Sequence, residues 1–251
     1  MTMKQGNKII FSVVWILLVT PQPAFAMHIM EGYLSPGWAL LWAVITLPFL
    51  LVGIKHIREL VRQNGENIVL IAMATAYVFM LSALKIPSLT GSCSHPTGVG
   101  LGAILLGPWA MSIIGVIVLL FQAILLAHGG LSTLGANTFS MAIVGPFVAI
   151  AVYHLTMRLN GKKAVAIFMA AMLGNLATYC VTAIQLALAW PSLETGVMGA
   201  LIEYLSIFAI TQIPLALSEG ILTVLIYNTI EKYLPKNLFA SRNHGLKEET
   251  L

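Results

Sequence analysis

Two histidines in this sequence stand where a metal ion could use them. His28 follows Met27 directly after an apolar run and the stretch TPQPAFA (20–26), and His95 lies in SCSHPTG (92–98), a turn stiffened by Pro96. A cut before Met27 would create a free α-amine there. That amine, the backbone nitrogen of His28 and Nδ1 of its imidazole would then chelate one ion in fused rings. An amide nitrogen ligates only when deprotonated, which favours ions such as Ni(II) or Cu(II) in tetragonal geometry. Three nitrogens in a plane leave one position open, and His95 is the best candidate to fill it. Taken singly, either histidine reads equally well as a structural side chain near a membrane surface. What shifts the balance is the coincidence of a new N-terminus, a histidine beside it and a histidine in a buried re-entrant loop.

The other polar residues leave more than one reading open. His128 in AHGGLSTLGAN (127–137) either orients a ligand, gates the outer mouth or caps a helix end. Asn137 and Thr138 suit hydrogen bonding that orients imidazoles, and an N-cap for a span starting near 138 explains them as well. Glu219 sits in the middle of an apolar span, where an ionisable group is costly and usually functional. It could pair with Lys85 or meet a partner subunit, and the sequence ranks neither first. His56, His154 and His244 lie among basic residues and read as solvated. Cys93 is a weak candidate for a soft ligand, because it stands two residues from His95 in a tight turn. Met73, Met80, Met111, Met141 and Met169 read as packing residues.

The elements that must position these groups are transmembrane helices. The chain is 59% hydrophobic and 9% charged, contains no Asp, and carries a net charge of +4. Its mean hydropathy is +0.91. Such values belong to a polytopic membrane protein. In a soluble protein the positive charge would suggest nucleic acid, but here the bases sit in short loops and tails, as the positive-inside bias requires. Cys93 and Cys180 form no CxxC pair and no disulfide framework.

Residues 1–26 read as a cleavable signal peptide. Lys4 and Lys8 give a positive start, IIFSVVWILLV (9–19) is short for a span of about 30 Å, and Ala24-Phe25-Ala26 has the small-x-small form of a cleavage site. An uncleaved anchor helix is the alternative. Residues 27–251 then form a single transmembrane metal-binding domain.

Apolar runs place crossings at 37–54, 67–84, 108–127, 138–157 and 164–190. The stretch 197–230 is long for one crossing and is expected to divide into an outer amphipathic segment, about 197–206, and a crossing to Ile230. Six spans conflict with the charge pattern. KHIRELVR (55–62), RLNGKK (158–163) and the tail with Lys232, Lys236, Arg242 and Lys247 should all be cytoplasmic, and PSLETG (191–196) should be outside. One further crossing between 85 and 108 repairs the parity, and only TGVGLGAILLGP (97–108) offers it. The expected fold is therefore all-α, with about seven transmembrane helices after signal removal, one of them short and Gly-rich. The mature N-terminus lies outside and the C-terminus in the cytoplasm.

Four stretches carry a family resemblance: MHIMEGYLSP (27–36), KIPSLTGSCSHPTGVGLGAILLGP (85–108), QAILLAHGGLSTLGANTFSMAIVGP (122–146) and IPLALSEGILTVLIYN (213–228). They resemble the motifs of the CbiM/NikM family, the substrate-binding membrane components of energy-coupling-factor transporters for cobalt and nickel. The SCSHPTG wording is closer to the cobalt branch. The resemblance implies that metal is held by the amine of Met27, the amide and imidazole of His28 and the imidazole of His95; His128, Asn137 and Thr138 are the candidates to surround it. It also implies the partners: a CbiQ-like transmembrane coupling subunit, CbiO-like cytoplasmic ATPases and a CbiN-like small membrane subunit. Transported Co(II) or Ni(II) would supply cobalamin synthesis, across the bacterial cytoplasmic membrane.

What is missing from the sequence fits that expectation. It has no GxxxxGK[ST] loop, and NGKK has neither its spacing nor its glycines. Without Asp there is no Ser-His-Asp apparatus. The chain reads as a transporter subunit rather than an enzyme, with no cofactor of its own and ATP hydrolysis borrowed from other subunits. Two rivals remain at this level. One is an ion-coupled secondary metal transporter using Glu219 and Lys85, and the other is a haem- or quinone-binding subunit using paired histidines. Only the metal-capture reading needs a free Met27 amine.

Overall fold

Helix boundaries follow the punctuation of the sequence. Ser35-Pro36 opens the first helix and Asn64-Gly65 closes it, with Pro36 at a first-turn position that has no use for a donor N–H. Gly107, at φ 84°, separates a short helix from a long one that begins at Pro108. The computed structural model describes residues 28–84, 86–87 and 93–233. The signal segment 1–26, Met27, Lys85 and the tail beyond Tyr233, including His244, lie outside the described residues.

Seven helices occur among the described residues. They are α1 (Pro36–Gln63), α2 (Asn67–Ala83), α3 (Val99–Leu106), α4 (Pro108–Leu126), α5 (Leu134–Arg158), α6 (Lys163–Ala189) and α7 (Gly196–Tyr233). Within α5, Thr138–Val144 form a π-helical stretch. Two-residue strands β1 (Ile86–Pro87) and β2 (Cys93–Ser94) pair antiparallel between α2 and α3. Helices α1, α4, α5, α6 and α7 are long and apolar enough to cross a membrane, and α2 is a shorter apolar helix of 17 residues. Their outward faces are apolar too. On α1, Leu40, Val44, Leu47 and Leu51 form an exposed stripe, and on α7 Ile210, Ile213, Leu217 and Ile221 are exposed. Such faces are stable against hydrocarbon, so the fold is that of an all-α, multi-pass membrane protein.

Two expectations change in detail. The region 197–230 does not divide into two segments. It is one continuous 38-residue helix, about 57 Å long, which exceeds the hydrocarbon thickness and carries Pro214 in its interior. Extensive packing against α6 carries the helix through the proline. The short Gly-rich element is helical only over Val99–Leu106, about 12 Å, and does not cross alone. Leu106 ends beside α1, where the His56 ring contacts its carbonyl at 3.3 Å. His56 is thus engaged with α3 rather than simply solvated.

Glycine sets the closeness of this short helix. A Cβ on Gly100 would lie 2.6 Å from the Ala171 Cα of α6, and one on Gly102 would lie 2.3 Å from Met111 Sδ of α4. Every residue from Val99 to Ala103 is buried, as irregular or broken helix at membrane depth must be.

Candidate metal centre

The segment just after His28 has few backbone partners of its own kind, so side chains supply them. Ile29 N donates to Asn137 Oδ1 at 2.8 Å, while Ile29 O accepts from Asn137 Nδ2 at 3.0 Å and from Thr133 Oγ1 at 2.6 Å. One amide side chain on α5 therefore satisfies both backbone polar groups of a buried residue. A second tie lies nearer the surface. Gly32 N donates to Ser132 Oγ, and Ser132 N donates to the Glu31 carboxylate. Ser132 holds that carboxyl below the usual carboxylate range. The chain can pass this closely because Gly130 has no side chain. A Cβ there would sit 2.5 Å from the Glu31 Cα.

A hydrogen-bond relay then orients the His28 ring. Ser82 Oγ donates to Val78 O at 2.5 Å and so accepts from Gln122 Nε2, at 2.6 Å. The Gln122 amide is fixed with Oε1 towards His28, 3.1 Å from Nε2. A carbonyl oxygen only accepts, so His28 carries its proton on Nε2 and presents a lone pair on Nδ1. The residues of this relay come from α2 and α4.

His95 is oriented in the opposite sense. Its Nδ1 lies 2.9 Å from Pro96 O, again an acceptor, which puts the proton on Nδ1 and the lone pair on Nε2. Tyr179 Oη on α6 donates to His95 O at 3.1 Å, and Ser94 Oγ meets Thr211 Oγ1 of α7 at 2.8 Å.

The rings of His28, His95 and His128 form one cluster. Their centroids are 4.9 Å apart for His28–His95, 4.7 Å for His28–His128 and 5.1 Å for His95–His128. One ring nitrogen from each lies within 4.8 Å of the others. The three are 1%, 0% and 3% exposed. His128 thus stands within the cluster rather than outside it, and it enters through the left-handed turn at Ala127 that ends α4. Asn137 is close by but holds the backbone of Ile29, not an imidazole. It lies inside α5, which starts at Leu134, so it is not the cap of that helix. Thr138 is buried, and its hydroxyl bonds none of the rings.

Sequence reasoning missed Gln122, Ser82, Thr133, Tyr179 and Asn175. The available signal was cost. An amide in FQAILL or LGNLAT must find a partner inside the membrane, although nothing in the spacing says which. Glu219 was singled out, and its partners are now visible. It is 1% exposed and accepts from Thr97 N (2.6 Å), Thr97 Oγ1 (2.9 Å), Gly98 N (2.8 Å) and Asn175 Nδ2 (2.5 Å).

Comparison with known proteins gives a consistent result. Residues 28–237 match the family model CbiM, described as a cobalt uptake substrate-specific transmembrane region. A cobalt transport protein of Nostoc sp. is 53% identical over 224 residues, 89% of this chain and 86% of the relative. One from Clostridioides difficile is 52% identical over 246 residues, 98% of both chains. The crystal structure of a truncated transition metal transporter superposes with a TM-score of 0.72 at 28% identity, covering 83% of this chain and all of the other.

Proposed function

This chain belongs to the CbiM family, and on that premise we propose that it is the metal-capture membrane subunit of a cobalt importer, with Ni(II) as a second cargo. The ion is held by the α-amine of Met27, the amide nitrogen and Nδ1 of His28, and Nε2 of His95. The observation that carries this reading is that the two imidazoles meet backbone or amide oxygens through opposite ring nitrogens, Nε2 of His28 and Nδ1 of His95. Gln122 Oε1 accepts from Nε2 of His28, and Pro96 O accepts from Nδ1 of His95, which leaves Nδ1 of His28 and Nε2 of His95 for the ion. Chelation through an N-terminal amine and the next amide requires the Nδ1 lone pair, because only Nδ1 closes a six-membered ring with the backbone nitrogen. Burial of the cluster removes competing water. The relay through Gln122 and Ser82 is the kind of outer hydrogen bonding that fixes ring orientation and raises ligand basicity.

Removal of residues 1–26 is part of the proposal, since it creates the amine. So is the orientation: site outside, basic turns and C-terminus in the cytoplasm, chain in the bacterial cytoplasmic membrane. Import then needs a CbiQ-like coupling subunit, CbiO-like ATPases and a CbiN-like small subunit, and the delivered cobalt serves cobalamin synthesis. His128 borders the same space and is the next imidazole an ion would meet.

Titration of purified protein with Co(II) and Ni(II) tests the reading. His95→Ala should weaken binding on the order of 100-fold or more, because one of the deprotonated donors is lost, while helix content is retained. Wild-type affinity in the variant would remove His95 from the site and make His128 the next residue to substitute.

A further inference from the structure

Glu219 has no part in the chelate, yet it has the most elaborate set of partners of any buried acid among the described residues. It lies in the middle of α7, 1% exposed, and neither of the ion pairs found among the described residues involves it. Among the described residues its carboxylate is met by hydrogen-bond donors. Thr97 N, Thr97 Oγ1 and Gly98 N belong to the loop that carries His95. The fourth donor, Asn175 Nδ2 of α6, is itself fixed from the other side, because Asn175 Oδ1 accepts from Gln212 Nε2 of α7 at 3.2 Å.

Capping of α3 does not by itself account for this. A serine or asparagine would satisfy the first N–H groups of an eight-residue helix without placing an ionisable group at membrane depth. What a carboxylate adds is stiffness. Charge-assisted hydrogen bonds are shorter and stronger than neutral ones, and three of them converge on two consecutive residues. Gly98 is at φ 71°, so the loop turns sharply there, and His95 lies just ahead of the clamped pair. The positive end of the α3 dipole points at the same carboxylate.

We propose that Glu219 is a positioning residue for metal capture: by clamping Thr97 and Gly98 it holds His95 Nε2 in the plane of the N-terminal chelate. The proposal rests on His95 being a metal ligand. Glu219 touches no ion. It acts through the loop, and because it sits on α7 it makes the position of His95 depend on where that helix stands against α6.

The test uses Ni(II) alone, titrated into the protein purified from membranes, with affinity and the visible ligand-field band read together. The band reports the number and arrangement of nitrogen donors. Glu219→Gln keeps the volume and one acceptor but presents an NH2 group to a set of donors. It should bind Ni(II) roughly 10–100-fold more weakly, with the band moved towards that of His95→Ala. Combining Glu219→Gln with His95→Ala should weaken binding no further than His95→Ala alone, since the clamp has nothing left to position. A general loss of stability would leave the band of the bound fraction unmoved and would add to the effect of His95→Ala. Either result overturns the proposal. If Glu219→Gln does not fold, Thr97→Val decides. It deletes one contact of the clamp and should give a smaller shift in the same direction, whereas an unmoved band would contradict the role. Wild-type affinity in His95→Ala would overturn the metal-site reading itself, and this proposal with it.

Discussion

An imidazole offers a metal either ring nitrogen, and at His28 and His95 a neighbour has already chosen which. The choice is opposite at the two sites, and it suits a chelating terminus facing a single imidazole. Gln122 is decisive for His28 because Ser82 holds its NH2 and so turns its Oε1 towards Nε2. Gln122→Leu should therefore lower Co(II) and Ni(II) affinity roughly 10–100-fold with the thermal transition little changed, as titration and melting of one sample would reveal. His28 and His95, which the fold brings together, were singled out from the sequence, since a histidine after an expected cleavage site and a histidine before a proline both have a local signature. Gln122 had none. It stands 94 positions from His28, and only the fold brings the two together.

The helices divide the site between two groups. The N-terminal segment is held by α2, α4, α5 and the connection between α4 and α5, through Ser82, Gln122, Thr133 and Asn137. His95 is held by α6 and α7, through Tyr179, Thr211 and Glu219. Asn137→Ala removes two of the three hydrogen bonds to the Ile29 peptide and leaves its N–H buried, a penalty of about 1–3 kcal/mol. The chelating terminus should then bind both ions more weakly, with the helical circular dichroism unchanged. Gly130→Ala should act in the same direction, because its Cβ would displace Glu31. Acid should not open the outer tie first. The Glu31 carboxyl is held low by Ser132, so its contribution is present above the ordinary carboxylate pKa of about 4 and lost only as pH falls below that range. The apolar runs made the long helices legible, and the charge pattern led to the short Gly-rich helix before α4. It did not reveal that this helix is only eight residues long, since a count of charges between passages says nothing of where a helix starts. Nor did it reveal the unbroken α7. A length argument assumes a helix confined to the bilayer, and this helix is longer than the hydrocarbon is thick.

At the scale of the whole molecule, the chain gathers three buried histidines that could hold an ion, and its sequence contains no phosphate-binding loop to drive one uphill. On the proposed function, the chain expressed alone should bind metal and accumulate little, while co-expression with the proposed coupling and ATPase subunits should give ATP-dependent uptake. Accumulation by the chain alone, collapsed by a protonophore, would point instead to ion coupling. The donors of Glu219 bear on that alternative, because a carboxylate clamped to a loop is poorly placed to carry protons. The central claim is that the terminal amine is a ligand, and one measurement addresses it directly. Co(II) and Ni(II) are titrated calorimetrically into protein beginning at Met27 and into protein with one extra residue before it, across about pH 5.5–8, the range in which an α-amine and an imidazole take up protons. Binding must release those protons and the amide proton, so affinity for the native terminus should fall steeply as the pH drops. The extended terminus, whose Met27 nitrogen is an amide, should bind far more weakly throughout. Equal affinities for the two termini would contradict the account.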